Sequence, residues 1–346
     1  MRIARRRGTL SPSNCRFTNN ETVMITAYCV GNEHLSSHHG FVTAEHFQKA
    51  TWIDLFEPSM EEEHHLEGLL ALELPTREEM RAIEDSIRLY ESNGAVYLTA
   101  KVMVNSESEY PRLDDLTFVL TARCLVTVRY AEPKAVRLFA SRAEHQPSAC
   151  VNSENVLLGL LGALLERIAD SIGRVGSDLD DLVHQVLAPD ETRRRLDYTA
   201  LLRQLECKQI LIARARGSLA SLNRLVSFVS KPALEYQLSK SFKPRATTLL
   251  HDIQSLVDHT AFLANNISFE LAAILGMINV EQNGIIKIFS VAAVVFMPPT
   301  LVASIYGMNF DVMPELKLGF GYPLALGLMV ASAIVTYWMF KRRGWL

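Results

Sequence analysis

"IFSVAAVVFMPPTLVASIYGMN", Ile288 to Asn309, is the stretch on which the fold turns. Its first 18 residues, Ile288 to Ile305, carry no charge, and a second uncharged run of 23 residues spans Leu318 to Phe340. At a rise of about 1.5 Å per residue each run is long enough to cross a bilayer core as a helix. The short connection between them, residues 307–321, makes a two-pass hairpin that ends on the side where it began. Lys341, Arg342 and Arg343 directly after the second run, with Lys287 before the first, place both termini in the cytoplasm. Tyr337, Trp338 and Trp345 suit one interfacial aromatic belt, and Phe320 and Tyr322 the other.

Upstream, no proline interrupts the chain between Pro244 and Pro298, and Leu249, Ile253, Leu256, Thr260, Leu263, Ile267, Leu271, Ile274 and Ile278 recur at three- and four-residue steps. That stripe predicts one stalk helix over 245–306, roughly 60 residues and on the order of 90 Å long, running into the first span. A stripe of this length has to be buried, against the two preceding helices or against copies of the same chain. Two spans per chain cannot shield Asn283, Ser290, Thr300 and Ser304 from lipid, whereas several copies can.

Still further upstream, residues 151–244 read as long cytoplasmic helices, one over Ser153–Leu187 and one from about Glu191 to Val229. Residues 24–150 mix β-rich runs ("MITAYCV", "TWIDL", "AVYLTAKVMV", "LTFVLT", "CLVTVRY") with acidic helical stretches capped at Ser59 and Thr76. The predicted class is an α+β cytoplasmic domain, then long helices, then a transmembrane hairpin over 245–306 and 322–340 with a basic tail at 341–346. The first 23 residues are basic and lack the apolar core of a secretory signal; they read as a disordered arm, with Met24 as an alternative start.

The 346 residues have a net charge of -3, which by itself suggests an ordinary soluble protein and hides the apolar C-terminal end. Five cysteines without paired spacing are expected to be reduced thiols. No phosphate loop, dinucleotide fingerprint, HExxH or catalytic constellation is present, so neither an enzyme, an organic cofactor nor a nucleic-acid partner is expected. His34, His38, His39, His46, His64 and His65 match no zinc spacing.

"YGMNF" at Tyr306–Phe310, "MPEL" at Met313–Leu316, "FGYP", the terminal "KRRGWL" and the upstream "NVEQNGIIKIFSVAAVVFMPPTLVAS" together resemble the CorA family of divalent-cation channels. The resemblance implies a funnel-shaped homopentamer in the cell inner membrane that conducts Mg²⁺, with Co²⁺ and Ni²⁺ as further cargo. It implies a selectivity filter at Gly307, Met308 and Asn309, and a conduit lined by Asn283, Ile286, Phe289, Met297 and Thr300, with Ile286, Phe289 and Met297 as the constriction. Asp311 and Glu315 would gather cations at the outer mouth. Closure by cytoplasmic Mg²⁺ would use acidic side chains, with Glu84, Asp85, Asp252 and Asp258 as the named candidates among Glu61, Glu62, Glu63, Glu78, Glu79, Asp178, Asp180 and Asp181.

Elementary chemistry agrees with the filter. Mg²⁺ gives up its water reluctantly, so a ring of amide oxygens at Asn309 that accepts hydrogen bonds from its first-shell water can pass the ion without trapping it. Thioether sulfur is a poor ligand for so hard a cation, which leaves Met308 as support for the loop. Gly307 has a second reading as a left-handed helix cap. Two alternatives stay open: a zinc-transporting member of the same family, and a non-conducting membrane-anchored scaffold.

Overall fold

The computed structural model describes residues 25–30, 35–40, 43–82, 84–108, 110–186, 197–231, 234, 238–308 and 319–343. It divides into two compact units, Met1–Leu179 with Glu206–Ala264, and Asp180–Leu205 with Asn265–Leu346.

The first unit is built on a seven-stranded sheet. Its strands are β1 (Ile25–Val30), β2 (Leu35–His39), β3 (Ala50–Phe56), β4 (Leu89–Ser92), β5 (Ala95–Val104), β6 (Arg112–Leu120) and β7 (Leu125–Arg129), in the order β2-β1-β3-β7-β6-β5-β4. Only β3 and β7 pair in parallel; the other pairs are antiparallel, so the sheet is of the α+β kind. β4 and β5 join through Asn93-Gly94, both at positive φ (52° and 76°), the geometry of a two-residue hairpin whose twist matches its strands.

β5 is buried almost throughout, because both faces of the sheet are covered. One face packs Ile53, Leu55, Tyr97, Val119 and Val126 with Leu66 and Met80, from helices α2 (Met60–Leu70) and α3 (Arg77–Met80). On the other face Trp52 stacks on Tyr28 at 4.2 Å and meets Phe139 of α5 (Lys134–His145) edge-on at 5.6 Å. Beneath Trp52 lies a buried polar chain in which its indole Nε1 donates to Thr127 Oγ1 (3.0 Å) and Thr127 donates to Asp54 (2.6 Å). The Arg129 guanidinium closes the chain on both Asp54 oxygens. Every member has a partner, which is the condition for a buried charge to be tolerated.

Three long helices follow: α6 (Ser153–Val186), α7 (Tyr198–Val229) and α8 (Phe242–Tyr306), with α9 (Gly321–Arg342) last and a short α1 (Ala44–Lys49) and α4 (Asp85–Arg88) earlier. Helix α8 starts three residues before the predicted boundary. Pro244 sits in its first turn, where a missing N–H removes no intrahelical bond. Helix α9 extends past 340 through Lys341 and Arg342, since long basic side chains can carry their charge away from an apolar helix end.

The acidic helical stretch that Thr76 caps is two four-residue helices, α3 and α4, rather than one. Arg88, 5% exposed, turns inward to Asp115 at 2.9 Å and takes the Ala82 carbonyl at 3.2 Å, an acceptor that a continuing helix would need.

Phe139 also explains a glycine. A Cβ at Gly159 of α6 would lie 2.4 Å from Phe139 Cε2, and the ring is itself pinned by Trp52. Gly159→Ala gains about 1 kcal/mol of helix propensity but overpacks a fixed ring at about 1–3 kcal/mol. We expect a net loss of up to about 2 kcal/mol, read in urea unfolding, with Gly162→Ala as a control because a Cβ there meets nothing within 4 Å.

Candidate ion-conduction site

Among the described residues two helices, α8 and α9, are long and apolar enough to cross a membrane, and only 6% of the residues in the most apolar stretch of each are buried. The membrane part of α8 therefore presents a largely open surface. On that surface the degree of exposure sorts by direction.

Taking about 100° per residue, the less exposed positions from Val291 onward (Ala292, Val295, Pro298, Pro299, Val302 and Tyr306) fall within an arc of about 120°. The exposed positions occupy the rest of the circumference. Asn283, Ile286, Phe289, Met297 and Thr300 fall within a second arc of about 120° centred opposite the first. Val291 is 5% exposed and Phe289 72%.

All five proposed conduit residues thus share one open face. Ser290 and Ser304 lie on the same face, although the family pattern did not single them out. The two faces differ chemically as well: one carries valine, alanine and proline up to Tyr306, the other an amide and three hydroxyls. From Asn283 to Met308 the one charged residue is Lys287, so this face offers neutral oxygen atoms and no carboxylate.

The Thr300 hydroxyl donates to the Phe296 carbonyl at 2.8 Å. Its proton is thereby committed to the backbone, and its lone pairs are left to accept. Water bound to a cation presents protons outward, which is the partner such an oxygen needs.

At the outer end, Gly307 N–H donates to Ala303 O at 2.9 Å and Met308 N–H to Ile305 O at 3.3 Å. Gly307 is not among the glycines at positive φ, so the left-handed cap is not what requires glycine here. A Cβ would instead stand 3.1 Å from the Ala303 oxygen, tighter than an ordinary contact. Asn309, Asp311 and Glu315 lie outside the described residues.

The acids named for regulation are dispersed. Glu84 precedes α4 and is exposed; the side chain of Asp85 lies outside the described ones. Asp252 and Asp258 are exposed on α8, where Asp258 accepts from Gln254 Nε2 at 3.0 Å. Among the described residues no three His, Cys, Asp or Glu side chains gather into a metal-holding group.

Other acids have structural work. Glu62 and Glu79 close capping boxes on Ser59 and Thr76, and Asp178 pairs with Lys208. Glu63 accepts from the Tyr130 hydroxyl at 3.1 Å, and burial, then Glu63, pushes that phenol up to about 12.

The sequence matches the family described as CorA-like Mg²⁺ transporter protein over residues 47–342. The chain belongs to that family. It is 38% identical over 323 residues to the magnesium transport protein CorA of Pasteurella multocida, covering 93% of this chain and 100% of the relative. It is 34% identical over 323 residues to the protein of that name from Yersinia pestis, with the same two coverages. Among solved structures, the complete CorA magnesium transporter of Methanocaldococcus jannaschii superposes with a TM-score of 0.73 at 19% identity, over 94% of this chain and 100% of that one. The CorA fold accordingly accounts for the sheet unit, the long helices and the two C-terminal apolar helices together.

Proposed function

We propose that this chain is the subunit of a homopentameric inner-membrane channel that admits hydrated Mg²⁺, and also Co²⁺ and Ni²⁺, down the membrane potential. The observation that carries this reading is the division of α8 into a partly covered apolar face and an open face holding Asn283, Ser290, Thr300 and Ser304. In lipid an open face with these groups is unfavourable, and turning it toward a shared axis resolves the conflict. Copies arranged so would ring Asn309 around the entrance and Met297, Phe289 and Ile286 around the narrowing. Family membership and the names of the relatives supply the cargo class. Asp311 and Glu315 then enrich cations at the mouth, and Mg²⁺ bound by cytoplasmic acids, with Glu84, Asp85, Asp252 and Asp258 as candidates, closes the path when the cell is replete.

No coupled reaction is required. A divalent ion gains about 4.6 kcal/mol across 100 mV, enough to support accumulation of about three orders of magnitude. Proteoliposomes of the purified chain, loaded with a Mg²⁺ indicator and with less Mg²⁺ than closes the path, and held at an inside-negative potassium diffusion potential, should take up Mg²⁺ against an outward gradient and stop when the potential is abolished. Uptake indifferent to potential removes the passive mechanism, and no uptake at any potential leaves a membrane-anchored scaffold.

A further inference from the structure

The tip of the β5–β6 hairpin carries a concentration of charge that conduction does not use. A cavity of about 420 Å³ there is lined by Lys134, Arg137 and Arg167 together with Glu107 and Glu132, and by Asn105, Ser106 and Ser108. Glu107 acts as an internal anion. Lys134 Nζ stands 2.7 Å from its Oε1, Arg167 Nη2 donates to the same atom, and Arg174 Nη1 is 3.7 Å away from it.

Three cations thus converge on one oxygen, although each guanidinium has five N–H donors to satisfy. Arg167 also reaches Asp170 at 3.8 Å, and Arg137 reaches Glu132 at 3.9 Å, both too long for hydrogen bonds. The Arg167 side chain is 14% exposed, and its Nε is buried with no acceptor among the described residues. A buried guanidinium donor without an acceptor is costly, and the cavity opens beside it. Hydrogen bonds from Lys134 and then Arg167 hold the Glu107 carboxyl down to about 2, so it remains an anion throughout the physiological range.

We propose that this cavity binds a phosphate-bearing anion of the polyphosphate class, whose oxygens displace Glu107 from Lys134 and Arg167 and supply the acceptor that Arg167 lacks. Planar guanidinium groups with surplus donors favour phosphate oxygens over a single carboxylate oxygen. The hydroxyl of Ser106 and the Asn105 amide provide further neutral donors along the rim. The volume lies in the range of small-molecule sites and exceeds what one phosphate needs, which favours a chain of phosphates, free or carried by a nucleotide.

The test is isothermal titration of the full chain in nanodiscs, in magnesium-free buffer, with tripolyphosphate, ATP and sulfate in separate runs. Saturable binding of tripolyphosphate or ATP is expected, and the two arms distinguish a bare phosphate chain from a nucleotide. Arg137→Ala should weaken it about tenfold, the equivalent of one charge-assisted hydrogen bond. Glu107→Gln should tighten it severalfold, because the competing anion is gone; a purely structural ion pair predicts no binding in either protein. Absence of saturable binding in both wild type and Glu107→Gln overturns the proposal, as does sulfate binding equal to that of the phosphates. If Glu107→Gln does not fold, Arg137→Ala on a side chain that is 65% exposed decides the matter.

Discussion

Phe289→Ser should raise Mg²⁺ uptake into magnesium-loaded proteoliposomes by about tenfold, the effect of removing roughly 1.4 kcal/mol from a permeation barrier. On the open face of α8 the polar side chains Asn283, Ser290, Thr300 and Ser304 are interrupted by Ile286, Phe289 and Met297, which are 61%, 72% and 67% exposed. If copies of the chain bring this face to one axis, a ring of phenyl groups excludes water, and an ion that keeps its hydration shell meets its steepest barrier there. Serine rewets that position without changing the helix register. Val291→Ser supplies the contrast. Val291 belongs to the packed arc and is 5% exposed, so its loss should cost about 1–3 kcal/mol of stability and leave uptake per folded protein unchanged. Equal uptake by wild type and Phe289→Ser would take Phe289 out of the conduit, and a leak in Val291→Ser would mean the two arcs have been assigned the wrong way round.

The features that could be read ahead of the structure were those with a long period. The stripe from Leu249 to Ile278 and the two uncharged runs extend over many turns, so no local alternative competes with them, and α8 and α9 follow within three residues of expectation. The caps at Ser59 and Thr76 were legible because a capping box is a four-residue chemical pattern.

What failed was decided by distant partners. Continuation of the helix after Met80 depends on Arg88 finding Asp115, 27 residues away. β4 is four residues long with a half-exposed pattern, and the one local signal for it is the Asn93-Gly94 turn that follows. The second reading of Gly307, a left-handed cap, does not hold, and what a side chain there would meet instead is the Ala303 carbonyl. The Glu107 cluster joins residues from a hairpin, α5 and α6 that no spacing in the sequence connects. The sorting of α8 into two faces was half legible: the polar positions were visible, but which side the chain itself covers required the structure.

Asn309→Asp and Asn309→Ala should fail in opposite ways, and the pair tests whether the ion passes this ring still hydrated. A neutral amide oxygen accepts from bound water and releases it readily. A carboxylate about 5 Å from a divalent charge adds roughly 2 kcal/mol of attraction at the dielectric of bulk water and several times that at an effective value near 20. Since every 1.4 kcal/mol is tenfold, even one such group per ring holds the ion long enough to slow exit by an order of magnitude, and the copies in the proposed pentamer would act together. Asn309→Asp is therefore expected to lower the Mg²⁺ concentration for half-maximal uptake while reducing maximal flux at least about a hundredfold. Asn309→Ala removes the acceptor without adding charge, so it should raise the half-maximal concentration for Mg²⁺, Co²⁺ and Ni²⁺ alike, since the grip on their shared octahedral water shell is gone. Concentration-dependent uptake for both variants, in vesicles at one fixed potential, separates the two effects. Should Asn309→Asp conduct as fast as wild type, the ring does not contact the ion or its water, and selection must reside lower, among Thr300 and the serines that share its face.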